Sequence, residues 1–230
     1  MYSIAKIPNL QKIKGFIHFL LKFVILGCML LGLPLTGVYL AGYPVDRYLE
    51  FPPQTRYIDH APFSWPAFTI LTIIILAVVL STAIRGIQGH KKRPHKAVKS
   101  TPKPFPRWGW IGLATGIVAW ILAWTRFSWF ITYQLHTFSP LWFSYIVVVN
   151  ALCFRRTGHS LMTDRPGFFL LLFPASAAFW WFFEYLNRFV QNWYYTGVEF
   201  DPWPYFWYAS LPFATVLPAV LSTKQWLQSA

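Results

Sequence analysis

Residues Pro166 to Tyr195 read PGFFLLLFPASAAFWWFFEYLNRFVQNWYY. The stretch opens as a membrane span and closes in a polar cluster. Its first eighteen residues, Pro166 to Phe183, carry no charge, which is the composition of a helix immersed in hydrocarbon. Glu184, Asn187, Arg188 and Gln191 then recur at steps of three and four, so a continuous helix places them on one face. At about 1.5 Å per residue, Glu184 falls roughly 27 Å from Pro166, near the far edge of a hydrocarbon core about 30 Å thick. Trp180 and Trp181 lie just below, at the depth of an interfacial aromatic belt, and Trp180 shares the Glu184 face.

Outward from this stretch, the chain is built the same way. Of 230 residues, 56% are hydrophobic and only 12% charged, against about 25% charged in soluble domains. Six segments are long and apolar enough to span, near 16–41, 66–84, 108–129, 139–154, 166–190 and 205–222. With short loops they use nearly the whole sequence. The expectation is an all-α, single-domain integral membrane bundle of six helices. Pro212 and Pro218 predict a kinked last span. Gly112 and Gly116, with Gly109 before them, predict a close helix–helix approach on the third.

The net charge of +13 does not point to nucleic acid, because the cations sit beside the spans. Residues 85–107 hold Arg85, Lys91, Lys92, Arg93, Lys96, Lys99, Lys103 and Arg107 with no acid. Placing the N-terminus in the cytoplasm puts sixteen Lys and Arg on the inner side and four (Arg47, Arg56, Arg126, Arg188) on the outer. That bias predicts both termini cytoplasmic, in a cytoplasmic (inner) membrane. The N-terminal Lys6, Lys12, Lys14 and Lys22, with Ile4, Ile7, Leu10, Ile13 and Ile17 at helical steps, predict a surface-lying entry to the first span.

Glu184 and Arg188 stand in the favoured i, i+4 order for an intrahelical ion pair. Ionisable groups at membrane depth are functional candidates. Glu184 as acid or base, Arg188 as anion holder and Asn187 as orienting group would suit an enzyme acting on a lipid-linked or isoprenoid substrate. Trp180, Trp181, Gln191, Arg126 and His136 are further candidates to line such a site. The structural alternative is an interfacial cluster that tethers the helix end.

On the inner side, Lys91, Lys92 and Arg93 suit anionic lipid head groups. Arg155, Arg156 and Arg165, with His159 and Asp164 between them, suit a phosphate or simply mark topology. Asn150, inside the fourth span, is expected to hydrogen-bond another helix.

No phosphate-binding glycine loop, nucleophile elbow, H-E-x-x-H or C-x-x-C occurs, and Cys28 and Cys153 have no metal or redox spacing. No metal site or obligate cofactor is predicted. Aromatic residues make up 20% of the chain, more than two belts need, and so are available to a lipid, quinone or pigment. The leading expectation is a non-enzymatic multi-pass protein, with membrane lipids and other membrane subunits or itself as partners. The outer-leaflet enzyme comes second and a small transporter third.

Overall fold

A computed structural model describes residues 8–53, 57–59, 62–92, 102–196 and 200–229. The protein is all-helical, 79% helix, with no strand among the described residues. The helices are α1 (Pro8–Gly27), α2 (Leu33–Leu40), α3 (Asp46–Leu49), α4 (Trp65–Lys92), α5 (Arg107–Trp124), α6 (Phe138–Thr157), α7 (Leu161–Asp164), α8 (Pro166–Val190), α9 (Pro202–Ala214) and α10 (Val216–Gln228). Among the described residues, five stretches are long and apolar enough to cross a membrane: Ile13–Leu40, Trp65–Gln88, Phe138–Thr157, Pro166–Val190 and Pro202–Gln228.

Boundaries differ from the sequence expectation in instructive ways. A π-helical turn at Cys28–Gly32 joins α1 to α2 without a break, and no turn separates Lys12, Lys14 and Lys22 from the span; Ile4, Lys6 and Ile7 lie outside the described residues. The third predicted span stops at Trp124 instead of Trp129. Thr125 turns extended there, and Gln134 Nε2 donates to the carbonyls of Leu122 and Ala123 that the helix end leaves open. The fourth lengthens to 20 residues and ends at Gly158, whose φ of +80° is the left-handed conformation glycine supplies at helix ends.

The chain divides into two compact units. One comprises residues 57–178 and 208–230. In it, α5 lies against α6 along the predicted glycine stripe. A Cβ on Gly109 would stand 2.5 Å from Ala151 Cβ, and one on Gly112 would stand 2.6 Å from Val147 Cγ1. The missing side chains are what let the two backbones approach. Asn150 joins α6 to its neighbours, as its isolated polarity predicted. Its amide donates to Ser222 Oγ of α10 at 2.8 Å and to the Ile146 carbonyl, and its Oδ1 accepts from the Met162 N–H. Gln225 Oε1 accepts from the Leu161 N–H at 2.7 Å. Ile146, Phe169 and Ala219 form the buried apolar centre of this unit.

The expected kink in the last span is a break at Thr215, between α9 and α10. Ser176 of α8 fills it. Its hydroxyl donates to the Phe213 carbonyl at 2.6 Å and accepts from the Leu217 N–H at 3.0 Å, the two groups that an unbroken helix would pair with each other.

The other unit comprises residues 1–56 and 179–207. Its interior is aromatic. Trp181 is buried against Phe206, with ring centroids 5.1 Å apart, and against Tyr205 and Phe51. Phe51 also meets Trp203 and Phe206, and Tyr48 stacks on Phe189. The described start of the loop after α2 is thus packed on α8 and α9 through Tyr48 and Phe51.

The glycine stripe yields a direct comparison. Gly112→Ala is expected to lower stability by about 1–3 kcal/mol through overpacking against Val147. Gly37→Ala, on α2 with nothing within 4 Å, is expected to hold or slightly raise it. Thermal melting of the two variants in detergent measures the difference, and equal melting points would refute the close packing.

Candidate functional site

The polar cluster at the end of α8 is organised by Asn187, which is 2% exposed. Its Oδ1 accepts from the backbone N–H of Asn192 at 2.8 Å and of Trp193 at 3.4 Å. Its Nδ2 donates to the Trp193 carbonyl at 2.8 Å. One side-chain amide therefore takes the place of a backbone partner for the loop, and reverses the chain at the helix end. The helix ends at Val190, so Gln191 does not continue the polar face as its spacing predicted. Gln191 instead sits at φ +51° and donates its N–H to the Asn187 carbonyl at 2.7 Å.

This reversal brings two donors onto Glu184. The Tyr195 hydroxyl donates to Glu184 Oε1 at 2.6 Å, and the Trp193 indole N–H donates to the same oxygen at 3.1 Å. The Trp180 indole acts on the same carboxylate, and Tyr205 faces it from α9. Glu184 is completely buried, and its Oε2 and the Tyr205 hydroxyl are both without a hydrogen-bond partner. In the loop, burial and the adjoining Glu184 carboxylate hold the Tyr195 phenol above its ordinary pKa, so it remains a proton donor across the neutral range.

The expected ion pair between Glu184 and Arg188 is not formed. Arg188 reaches instead to the backbone carbonyl of Glu50 in the loop after α2, leaving its Nη1 buried and unpartnered. The two residues therefore do different jobs one helical turn apart. Glu184 gathers the loop that follows α8, and Arg188 holds the loop that follows α2.

The remaining candidates fall as follows. Trp181 is a packing residue. Arg126 is exposed after α5, and the His136 ring lies 4.8 Å from that of Tyr208; both belong to the unit built on α5 and α6, not to the one that holds Glu184. Arg155, Arg156 and Arg165 are exposed around α7, where His159 and Asp164 pair at 3.1 Å and Ser160 and Thr163 form a capping box. Lys91 and Lys92 fall in the last turn of α4, and Arg93 lies outside the described residues. Among the described residues no group of three or more His, Cys, Asp or Glu converges.

Trp193, Tyr195, Tyr205, Ser176, Ser222 and Gln225 were not singled out by spacing. Tyrosines and tryptophans are so frequent here that none stands out from the background. The usable signal was N-x-x-x-x-N-W, an asparagine at the helix end followed by further polar and aromatic residues.

Fold and composition thus define a class: an all-helical protein with five helices long and apolar enough to cross a membrane. Beyond that class, no family model, curated protein or solved structure matches the chain.

Removing the Asn187 amide should release the loop. Asn187→Ala is expected to destabilise by about 1–3 kcal/mol, since it leaves part-buried backbone groups of Asn192 and Trp193 unpaired. Tryptophan emission should shift to the red as Trp193 is exposed. Gln191→Gly, which removes a left-handed side-chain penalty of roughly 1–2 kcal/mol, should raise the melting temperature.

Proposed function

We propose that this chain is a non-enzymatic, multi-pass protein of a cytoplasmic membrane that packs as a subunit of a larger membrane assembly. The observation that carries the reading is how the Glu184 cluster is used. Asn187 binds the backbone of its own loop, Arg188 binds the Glu50 carbonyl, and Glu184 accepts from Trp193 and Tyr195. These groups are committed to holding loops. A substrate would have to displace them.

The long apolar helices add support. In the most apolar stretches of Ile13–Leu40 and Trp65–Gln88 no residue is buried, so their surfaces are left to lipid or to other chains. In this reading α5 completes six spans. It has 18 residues, about 27 Å of helix, and packs along its glycine stripe on α6. The distribution of Lys and Arg supports a reading in which both termini are cytoplasmic. Lipid, quinone or pigment held on the aromatic surface is compatible with the same architecture.

A second reading, an enzyme using Glu184 as acid or base on a lipid-like substrate at the outer leaflet, is favoured by one observation. Glu184 Oε2 is buried and has no partner.

Two measurements separate them. Native mass spectrometry after gentle extraction should give stoichiometric protein partners or a homo-oligomer; a lone chain, with or without bound lipid, would overturn the subunit reading. Glu184→Gln keeps an acceptor for Tyr195 and Trp193 and offers a donor toward Tyr205, so assembly should be retained within about 1 kcal/mol of stability, while Glu184→Ala leaves those donors unpaired and should lose it. Retained assembly with loss of a membrane-linked turnover in Glu184→Gln would favour the enzyme.

A further inference from the structure

We infer that the groove between α5 and α6 holds one acyl chain of an anionic phospholipid, with the phosphate on the basic collar at the groove's end. The groove has a volume of about 560 Å³, within the range of roughly 300–1,000 Å³ of small-molecule sites. Trp108, Ile111 and Thr115 form one wall, Phe143 and Val147 the other, and Met162 closes it. Gly112 also lines it, where α5 and α6 lie so close that a Cβ would stand 2.6 Å from Val147 Cγ1. The Met162 backbone is fixed by Asn150, so this wall is a built feature of the unit.

The collar lies at the edge where α5 begins and α6 ends. The Trp108 ring stands 6.1 Å from that of Phe154. Lys103 donates its backbone N–H to the Arg155 carbonyl and sets its Nζ 5.1 Å from the Phe154 ring centroid. Arg107 immediately precedes Trp108, and Arg165 follows Met162 by three residues. Lys103, Arg107, Arg155 and Arg165 are all exposed. The one acid in this described stretch, Asp164, is paired with His159. Uncompensated cations beside an apolar groove suit an amphiphile with an anionic head.

The walls choose between occupants. A peptide segment would set a row of backbone N–H and C=O groups against a lining whose polar groups are Thr115, Ser144 and the Trp108 indole, too few to satisfy them. A free phosphate would use the collar and leave the groove empty. An acyl chain has no polar group to satisfy, and its head group reaches the collar. The site does not depend on whether the chain is a subunit or an enzyme.

The test uses the purified full-length chain in detergent, with phosphatidylglycerol or phosphatidylcholine of identical acyl chains added, and counts retained lipid by native mass spectrometry. One phosphatidylglycerol per chain should be held in preference to phosphatidylcholine. Arg107→Gln and Arg165→Gln should each weaken retention about five-fold. Thr115→Trp, which fills the groove from an exposed position, should abolish retention while leaving thermal melting unchanged. Equal retention of the two lipids, undiminished phosphatidylglycerol in Thr115→Trp, or displacement of the lipid by inorganic phosphate would each overturn the assignment.

Discussion

At membrane depth there is no water to satisfy a backbone N–H or C=O, so every departure from continuous helix must find its partner inside the chain. Much of this structure follows from that constraint. Three such departures among the described residues, beside or within apolar helices, are filled by a short polar side chain. Ser176 bridges Phe213 and Leu217 where α9 gives way to α10. Asn150 accepts from Met162 where the chain leaves α6 and re-enters through α7. Asn187 holds Asn192 and Trp193 where α8 ends.

Asparagine suits the two loop positions because its amide is donor and acceptor at once. Asn150 and Asn187 each present Oδ1 to a backbone N–H of the following loop and Nδ2 to a second partner. Aspartate would lack the donor and would add a charge at depth, while serine would reach less far. The hydroxyl of Ser176 is enough in the helix break because the carbonyl and N–H it bridges are already one turn apart. Each device is local, and each unit contains its own.

Much of the fold was legible because hydrophobic length is a strong signal. Pro166–Val190 appears as α8 within the limits its composition set, and the glycines at 109, 112 and 116 mark a real approach of α5 to α6. The site was legible only in part. Glu184 is completely buried, yet the i, i+4 spacing to Arg188 misled. Spacing tells which groups can meet, and a backbone carbonyl such as that of Glu50 leaves no trace in sequence. Gln191 failed for a related reason: extending the helical period past Val190 assumed a helix that Asn187 had already terminated.

The division between the buried cluster and the exposed helices bears on why a carboxylate stands at position 184. A buried carboxylate with no cation beside it is costly unless hydrogen bonds replace its hydration. Here the loop held by Asn187 supplies the Tyr195 hydroxyl and the Trp193 indole, so the loop must fold back before Glu184 can be buried. Burial of Glu184 in turn fixes which rings of the loop face inward. Arg188, turned the other way, ties the same helix end to the loop after α2. A single turn of α8 thus orders two separate loops of one unit. What it orders is an aromatic end face, with Trp181, Phe51 and Phe206 packed behind it. On the proposed subunit reading, the hydrogen bonds that hold these loops would serve to present that surface to a partner.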